Sequence, residues 1–315
     1  MREEIRSPLP LVTIVICTYN RAYILGECLR SLQAQTLPTC FFNIIVVDND
    51  SNDATQALVK DFSHDWPQLK FIIEKKRGAG NARNAALKKV TTDWVACLDS
   101  DAKAHPDWLA TVLETIKNDD FDAFGGPYYA WHFFGAPPKW FPKDFGTYEA
   151  AQSYGPLSDA NHIPGGNCAF KLSAAQTVGC FPVDIGMTGK KCAYGEETLM
   201  FDRMKAAGFR LGYVPAMKID HCVLPYKYSF FWQIKSAFAR GRGLEQVAPQ
   251  QHRHALMKLF YMYLKGCWLT AKDAIAPNKE YSWRAMVLQH FFTPVCYNGI
   301  IFEKIKKVLC KWRHK

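Results

Sequence analysis

The first hundred residues alternate short, continuously apolar runs with amphipathic segments, and this alternation constrains the fold more than any other feature. Apolar runs rich in β-branched residues occupy positions 11–17, 43–47, 69–73 and 94–98. Segments with helical spacing of apolar residues lie between them, at 22–35, 54–62 and 80–90. Strands that are apolar on both faces and alternate with helices are typical of a parallel sheet covered on both sides. We therefore expect an α/β domain.

Polar clusters follow three of the four predicted strands, at 18–21, 48–53 and 99–101. Ligands bind beyond the carboxyl ends of parallel strands, so we expect these clusters to meet in one cleft. In the last cluster, Asp99 and Asp101 are separated by a single residue. Two carboxylates placed in this way suit a hard divalent cation that also binds phosphate oxygens. Taken alone, the pair is explained as well by a solvated turn or a helix cap.

Six blocks in this order resemble the successive motifs of family 2 glycosyltransferases. They are VICTYNR at 15–21, VVDNDS at 46–51, RGAGNARN at 77–84, LDSD at 98–101, GGN at 165–167, and GEE at 195–197 with FRLGYVP at 209–215. The resemblance covers about residues 10–221. It implies a GT-A fold, with a nucleotide-binding half at 8–105 and an acceptor half at 106–225. It also implies inverting transfer of a hexosyl group from a nucleotide sugar, with UDP as the expected nucleotide.

The resemblance assigns roles to individual residues. Donor and nucleotide binding would fall to Thr18, Tyr19, Arg21, Asp48, Arg77, Arg83, Asp99, Gly166 and Asn167, with Asp48 facing the base. Asp101 would be the principal ligand of Mn²⁺ or Mg²⁺, together with Asp99 and His221. Structural explanations compete with these roles. Thr18 and Asp48 are common helix-capping types, the arginines are ordinary surface charges, and a single histidine is often structural.

An inverting transfer needs a base that accepts the proton of the attacking hydroxyl group. The family places an acidic pair at the start of a helix for this purpose, and the second acid is the base. Here Glu196 and Glu197 occupy that place, whereas the second acid in the family is usually Asp. Glu197 is therefore the expected base and Glu196 the reserve candidate. The alternative is that both acids only complement the dipole at a helix N-terminus.

The last third of the chain has a different character. Residues 226–315 hold 16 Lys and Arg against 4 Asp and Glu, within a formal net charge of +10 for the whole chain. Aromatic and aliphatic residues stand beside the basic ones in a helical pattern. We expect 226–315 to form a helical, basic extension of the 1–225 transferase domain that contacts an anionic membrane. A homodimer interface is an equally good explanation for these helices.

The stretch 128–162 reads as a long loop rich in aromatic residues, glycine and proline. Aromatic rings stack on sugars, so we expect the saccharide or lipid-linked acceptor to be selected there. A satellite core packed under a long loop explains the same composition.

The cellular location is predicted from cysteines and apolar segments. The eleven cysteines include no C-x-x-C pair, and several lie in apolar runs, which indicates free thiols in a reducing compartment. The first ten residues contain acids and two prolines, unlike a signal peptide. The longest apolar segment, 291–302, is short of a membrane span and contains Pro294 and Asn298. We expect a cytoplasmic chain, attached peripherally, if at all, to the inner face of the cytoplasmic membrane.

Three other functions are alternatives to sugar transfer. A nucleotidyltransferase usually has a glycine-rich basic loop after its first strand, where this chain has CTYNR at 17–21. A non-catalytic module that binds nucleotide sugars or nucleic acid fits the charge asymmetry, but the acidic strand ends would repel nucleic-acid phosphates. We therefore expect no nucleic-acid partner. A catalytically inactive relative stays open, because Glu197 departs from the usual Asp.

Overall fold

The computed structural model describes residues 11–187, 193–252, 254–275 and 282–313. The N-terminal decapeptide, Cys192 and the last two residues of the basic tail, which entered the predictions above, lie outside this range. The ten described cysteines are free thiols.

Strands and helices alternate through the first half of the chain, and helices dominate the end. The described strands are β1 (Val12–Thr18), β2 (Phe42–Asp48), β3 (Leu69–Ile73), β4 (Trp94–Leu98), β5 (Ala102–Ala104), β6 (Ala123–Gly125), β7 (Tyr128–Trp131), β8 (Gly155–Pro156), β9 (Asn167–Lys171), β10 (Leu211–Tyr213) and β11 (Ile219–Cys222). The described helices are α1 (Ala22–Gln33), α2 (Thr55–Asp65), α3 (Ala79–Leu87), α4 (Trp108–Asn118), α5 (Leu172–Thr177), α6 (Glu196–Ala206), α7 (Phe230–Val247), α8 (Ala255–Ile275) and α9 (Trp283–Arg313).

Eight strands form the main sheet, in the order β3-β2-β1-β4-β9-β6-β10-β8. The four strands predicted from their apolar runs are parallel neighbours in it. Strand β9 runs antiparallel between β4 and β6, so the sheet is mixed. Successive side chains of β1 enter opposite cores, Ile14 and Ile16 on one face and Val15 on the other. The sheet is therefore covered on both faces, as its uninterrupted apolar strands predicted.

A second, three-stranded sheet has the order β5-β11-β7. Strand β11 is antiparallel to β5 and parallel to β7, with His221 opposite Ala102. The prediction that 128–162 is loop throughout was wrong, since β7 and β8 lie within it. Strands of two to four residues show no alternation long enough to detect in a sequence.

The chain divides into two compact units. The first comprises Met1–Trp131, Gly146–Val183 and Glu196–Cys222, and the second comprises His132–Phe145, Asp184–Gly195 and Val223–Lys315. Both sheets belong to the first unit, and helices α7, α8 and α9 belong to the second. The division predicted at residues 225 and 226 stays a prediction.

Helix α7 crosses α9 at very short range in the second unit. A Cβ placed on Gly241 of α7 would lie 1.7 Å from the carbonyl oxygen of Cys296 in α9. Two carboxylates are buried along the same helices, and Glu303 accepts a hydrogen bond from Arg242 at 2.9 Å. Close backbone contact and paired buried charges thus hold α7 to α9.

Helix α9 corrects one expectation about membrane segments. It continues through Pro294, and the Asn298 amide donates to the Tyr263 hydroxyl of α8 at 2.7 Å, so neither residue ends it. An 18-residue window within Trp283–Cys310 has a mean hydropathy of 1.2, so this helix is long and apolar enough to cross a membrane. Length and composition alone do not separate such a span from a packed helix of a soluble protein.

Candidate active site

Asp99, Asp101 and His221 form an acidic cluster with one imidazole in the first unit. Asp99 and Asp101 follow β4, and the β5–β11 ladder sets His221 beside them, with the Cys222 amide donating to the Asp101 carbonyl at 2.8 Å. The Nε2 atom of His221 lies 3.6 Å from Oδ1 of Asp101 and 4.0 Å from Oδ2 of Asp99. One ligand atom from each of the three residues lies within 4.8 Å of the others. The structure thus brings together the three metal ligands predicted from the sequence.

The chemistry of this cluster fits a divalent cation. Two carboxylates favour Mg²⁺ or Mn²⁺, and a neutral imidazole adds a nitrogen ligand. Asp101 is already held at Oδ2 by Nη1 of Arg21, at 2.5 Å, which leaves Oδ1 turned toward His221. Partial burial of the Asp99 carboxyl, with the Asp101 charge beside it, raises the pKa of Asp99. A cation at the cluster would relieve this repulsion.

The glycine pair Gly165-Gly166 lets both acidic groups approach the backbone. A Cβ placed on Gly166 would lie 2.0 Å from Oδ2 of Asp99, and one on Gly165 would lie 2.8 Å from Cγ of Glu197. The Asp99 amide donates to the Gly166 carbonyl at 3.1 Å. Asp99 and Glu197 therefore pack against neighbouring residues of one short segment, and both contacts require glycine.

The two acids that begin α6 have different environments. Glu196 is 5% exposed and its Oε1 accepts from Nη1 of Arg83 at 3.1 Å. Burial, reinforced by the Glu197 charge and opposed by Arg83, raises the pKa of Glu196 to about 7. Glu197 is only partly buried, and its Oε2 has no hydrogen-bond partner among the described residues. Glu196 is thus paired with Arg83, whereas Oε2 of Glu197 could accept a hydrogen bond or a proton from another group.

The Arg77 guanidinium group stacks on the Tyr19 ring near the end of β1. The Arg77 guanidinium carbon lies 3.9 Å from the centroid of the Tyr19 ring, and Nη2 of Arg77 lies 3.3 Å from Oδ2 of Asp50. Nη1 of Arg77 has no hydrogen-bond partner in the described part of the chain. Sequence reasoning selected both residues of the stack but missed Asp50 as the arginine's partner.

Asn49 is a second residue that sequence reasoning missed. Its side-chain amide donates to the carbonyls of Glu74 and Lys76, at 2.7 and 2.8 Å. Its Oδ1 accepts from the Gly78 amide at 2.8 Å. These bonds fix the segment on both sides of Arg77. The position of Asn49 inside the VVDNDS block was the available signal.

The predicted contact of Asp48 with a base stays a prediction, and in this structure the Asp48 side chain lies inside the protein. Asp48 is fully buried. Its Oδ1 accepts from the Ser51 amide at 3.0 Å and its Oδ2 from the Gln56 side chain at 3.1 Å. Both oxygens therefore stabilise the turn after β2. Thr18 is also buried, and its hydroxyl has no hydrogen-bond partner among the described residues.

The side chain of Asn167, in the segment predicted to approach the donor, is also turned into the protein. Asn167 is fully buried, and its Oδ1 accepts from the Trp108 indole at 2.8 Å. Its Nδ2 donates to the carbonyls of Pro127 and Met217, at 2.8 and 2.7 Å. All of this amide's hydrogen-bonding groups are used inside the protein. Its role is to hold β9 to the segments that lead into β7 and β11.

Known proteins resemble this chain in sequence and in structure. The family described as "Glycosyl transferase family 2" matches residues 13–179. Glycosyltransferase AglE of Haloferax volcanii is 34% identical over 121 residues, which cover 38% of this chain and 40% of that protein. Succinoglycan biosynthesis protein ExoM of Rhizobium meliloti is 28% identical over 259 residues, 81% of this chain and 80% of that protein.

Among solved structures, mannosyltransferase PcManGT from Pyrobaculum calidifontis, in complex with GDP-Man and Mn²⁺, superposes with a TM-score of 0.64 at 19% identity. The match covers 96% of this chain and 89% of that chain. The predicted fold class, an α/β GT-A fold with a helical C-terminal region, is thereby confirmed.

Proposed function

The chain belongs to glycosyltransferase family 2, and on that premise we propose that it transfers a sugar, with inversion, from a nucleotide sugar to a saccharide or lipid-linked acceptor. One observation carries the proposal. Asp99 and Glu197 pack against the neighbouring glycines Gly166 and Gly165, so a cluster that could hold a cation and a carboxylate with an unpartnered oxygen lie beside one short segment. A displacement reaction needs a charged group at the leaving diphosphate and a base at the attacking hydroxyl.

The donor side comprises the acidic cluster and the basic residues near it. Arg21, Arg77 and Arg83 supply cationic groups, and the Tyr19 ring offers an aromatic face to the nucleoside. The nucleotide is proposed to be UDP, on the family resemblance. Asp101, Asp99 and His221 would hold Mn²⁺ or Mg²⁺. When bound, the ion would supply positive charge to the two phosphates of the leaving group.

Glu197 is the proposed general base. The acceptor hydroxyl oxygen forms a bond to the anomeric carbon, and its proton passes to the Glu197 carboxylate. The bond from that carbon to the diphosphate oxygen breaks, and its electron pair leaves with the nucleoside diphosphate. Attack from the opposite face inverts the anomeric configuration. Glu196, tied to Arg83, positions the start of α6 rather than taking the proton.

The setting is proposed to be polysaccharide or glycan assembly. ExoM is named for succinoglycan biosynthesis and aligns with four-fifths of this chain. A lipid-linked acceptor would place the reaction in the cytoplasm at the inner face of the cytoplasmic membrane. The basic helical region is the proposed site of membrane attachment.

A nucleotide-release assay tests the transferase proposal. Full-length protein is incubated with UDP- and GDP-sugars and Mn²⁺ or Mg²⁺, and free nucleotide is measured. Asp101→Asn and Glu197→Gln are compared with Asp61→Asn and Glu114→Gln, which change exposed acids on α2 and α4. We expect metal-dependent release from one donor, lost in the first two variants only. Equal release from all five proteins, or none with any donor and no donor-induced thermal shift, would contradict the proposal.

A further inference from the structure

Helix α8 packs against α9 along one side. Its Tyr263 hydroxyl accepts from Asn298, and Asp273 pairs with His290 at 2.7 Å. Gly266 faces the backbone of α9, since a Cβ there would lie 3.1 Å from the His290 carbonyl oxygen. The side of α8 that carries these three residues is therefore internal to the second unit.

The outward side of α8 is unusually apolar. Six large side chains there are between 55% and 69% exposed, namely Leu256, Met257, Phe260, Tyr261, Leu264 and Trp268. At 100° per residue they fall within an arc of about 140° on the helix surface. They form one continuous strip, which we call the α8 strip. Soluble proteins rarely leave a contiguous apolar patch of this kind uncovered.

A row of three lysines borders the α8 strip. Lys258, Lys265 and Lys272 are exposed and stand seven residues apart. Their directions fall within roughly the next 60° of the helix circumference, directly beside the strip. Lys272 also lies over the ring of Trp268, with its Nζ 5.7 Å from the centroid. An apolar face with a basic edge complements a surface that is apolar inside and negatively charged outside.

We propose that α8 lies in the plane of an anionic lipid bilayer. The α8 strip would enter the boundary between headgroups and acyl chains, and the lysine row would meet the lipid phosphates. Lysine stems reach outward along apolar surface while their ammonium groups remain at headgroup depth, and Tyr and Trp favour the same depth. A protein partner would complement the apolar strip equally well, but the lysine row adds the charge complementarity of anionic lipid. This surface deepens the proposed membrane attachment of the basic helical region and does not depend on the transferase reaction.

Vesicle sedimentation with the full chain tests the lysine row. Vesicles are made of phosphatidylcholine alone or mixed with phosphatidylglycerol, without donor or acceptor. We expect binding to the anionic vesicles only, and weaker binding at high salt. The triple variant Lys258→Gln/Lys265→Gln/Lys272→Gln should lower the partition coefficient by about 100-fold, because each lysine near an anionic surface increases this coefficient roughly fivefold. The control Lys60→Gln/Lys70→Gln/Lys117→Gln removes the same charge at exposed positions of the first unit and should bind like the wild type.

A second variant pair tests the α8 strip itself. Phe260→Ser/Leu264→Ser should also reduce binding at least tenfold, since about 0.8 kcal/mol is lost per buried CH₂ removed. Leu11→Ser/Ile73→Ser, at positions 51% and 46% exposed, is its matched control. Equal binding of wild type and α8 variants would overturn the proposal. The proposal would also be overturned if the bound protein resisted extraction by alkaline carbonate, as expected if α9 spans the membrane. It would be overturned as well if the wild type did not bind vesicles but formed a dimer that the strip variants dissociate.

Discussion

Replacement of Gly166 by alanine should disturb the geometry of the acidic cluster and leave the free energy of unfolding almost unchanged. The new Cβ would lie 2.0 Å from Oδ2 and 2.1 Å from Cγ of Asp99. Contacts below 3.0 Å do not occur for real Cβ atoms, so the carboxylate must withdraw by about 1 Å. Asp99 would then no longer face Asp101 and His221 in the present arrangement.

The expected losses follow from that displacement. A misplacement of about 1 Å can cost about 100-fold in rate, or about 2.7 kcal/mol of transition-state stabilisation. The free energy of unfolding should change by less than about 1 kcal/mol. A side-chain rotation at a half-exposed position costs roughly that much, and the loss of glycine freedom in the unfolded chain offsets it.

Steady-state nucleotide release and a Mn²⁺ titration measure the first effect, and urea unfolding measures the second. Gly155→Ala is the control, because its added Cβ meets no atom within 4 Å. We expect kcat/KM to fall about 100-fold in Gly166→Ala with an unchanged unfolding midpoint. The reasoning is refuted if Gly166→Ala keeps the kcat/KM of Gly155→Ala, or if it loses activity only by unfolding.

Three further predictions concern the packing around the site and in the helical unit. Arg83→Met should lower the free energy of unfolding in urea at about pH 8 by about 3 kcal/mol, because it leaves the ionised, buried Glu196 carboxylate without its partner. Burial raises the pKa of Glu196 from 4.5 to about 7. Between these two pH values the native state keeps a proton that the unfolded state has lost, so the free energy of unfolding falls as the pH rises. Wild type should therefore lose up to about 3 kcal/mol relative to Glu196→Gln between about pH 5 and about pH 8, measured by urea unfolding at each pH. Gly241→Ala should lower the free energy of unfolding, measured by thermal unfolding, by about 2 to 3 kcal/mol, because its Cβ would lie 1.7 Å from the Cys296 carbonyl oxygen.

Each of these predictions has a result that would contradict it. Wild-type stability in Arg83→Met would mean that the guanidinium does not compensate a buried charge. Parallel stability curves of wild type and Glu196→Gln against pH would mean that the native pKa of Glu196 is not raised. A Gly241→Ala protein as stable as Gly155→Ala would mean that α7 and α9 are not in backbone contact.

The sequence predicted the half of the sheet that depends on local pattern. The runs at 69–73 and 94–98 coincide with β3 and β4, and β1 and β2 begin and end within a residue of their predicted bounds. A strand buried on both faces is apolar throughout, and such a run can be recognised without knowing its neighbours. The turns that follow β1 and β4 also lie at one edge of the sheet, where Arg21 pairs with Asp101.

The remaining features depend on contacts distant in sequence. His221 lies beside Asp101 because β11 pairs with β5, and neither strand is long enough to show a pattern. Asp48 and Asn167 are polar residues of the expected motifs, yet their hydrogen bonds are made inside the protein. Whether a polar side chain at a strand end faces the cleft or the core is decided by backbone groups that only the folded chain brings near.

The central claim is that the Asp101 cluster binds the donor while Glu197 takes the acceptor proton. Calorimetric titration of the donor found in the release assay, with Mn²⁺ present, measures binding separately from transfer in wild type, Asp101→Asn and Glu197→Gln. We predict that Glu197→Gln binds the donor as wild type does but transfers about 1,000-fold more slowly, whereas Asp101→Asn loses Mn²⁺-dependent donor affinity. Wild-type transfer by Glu197→Gln, or unchanged Mn²⁺-dependent binding by Asp101→Asn, would contradict the claim.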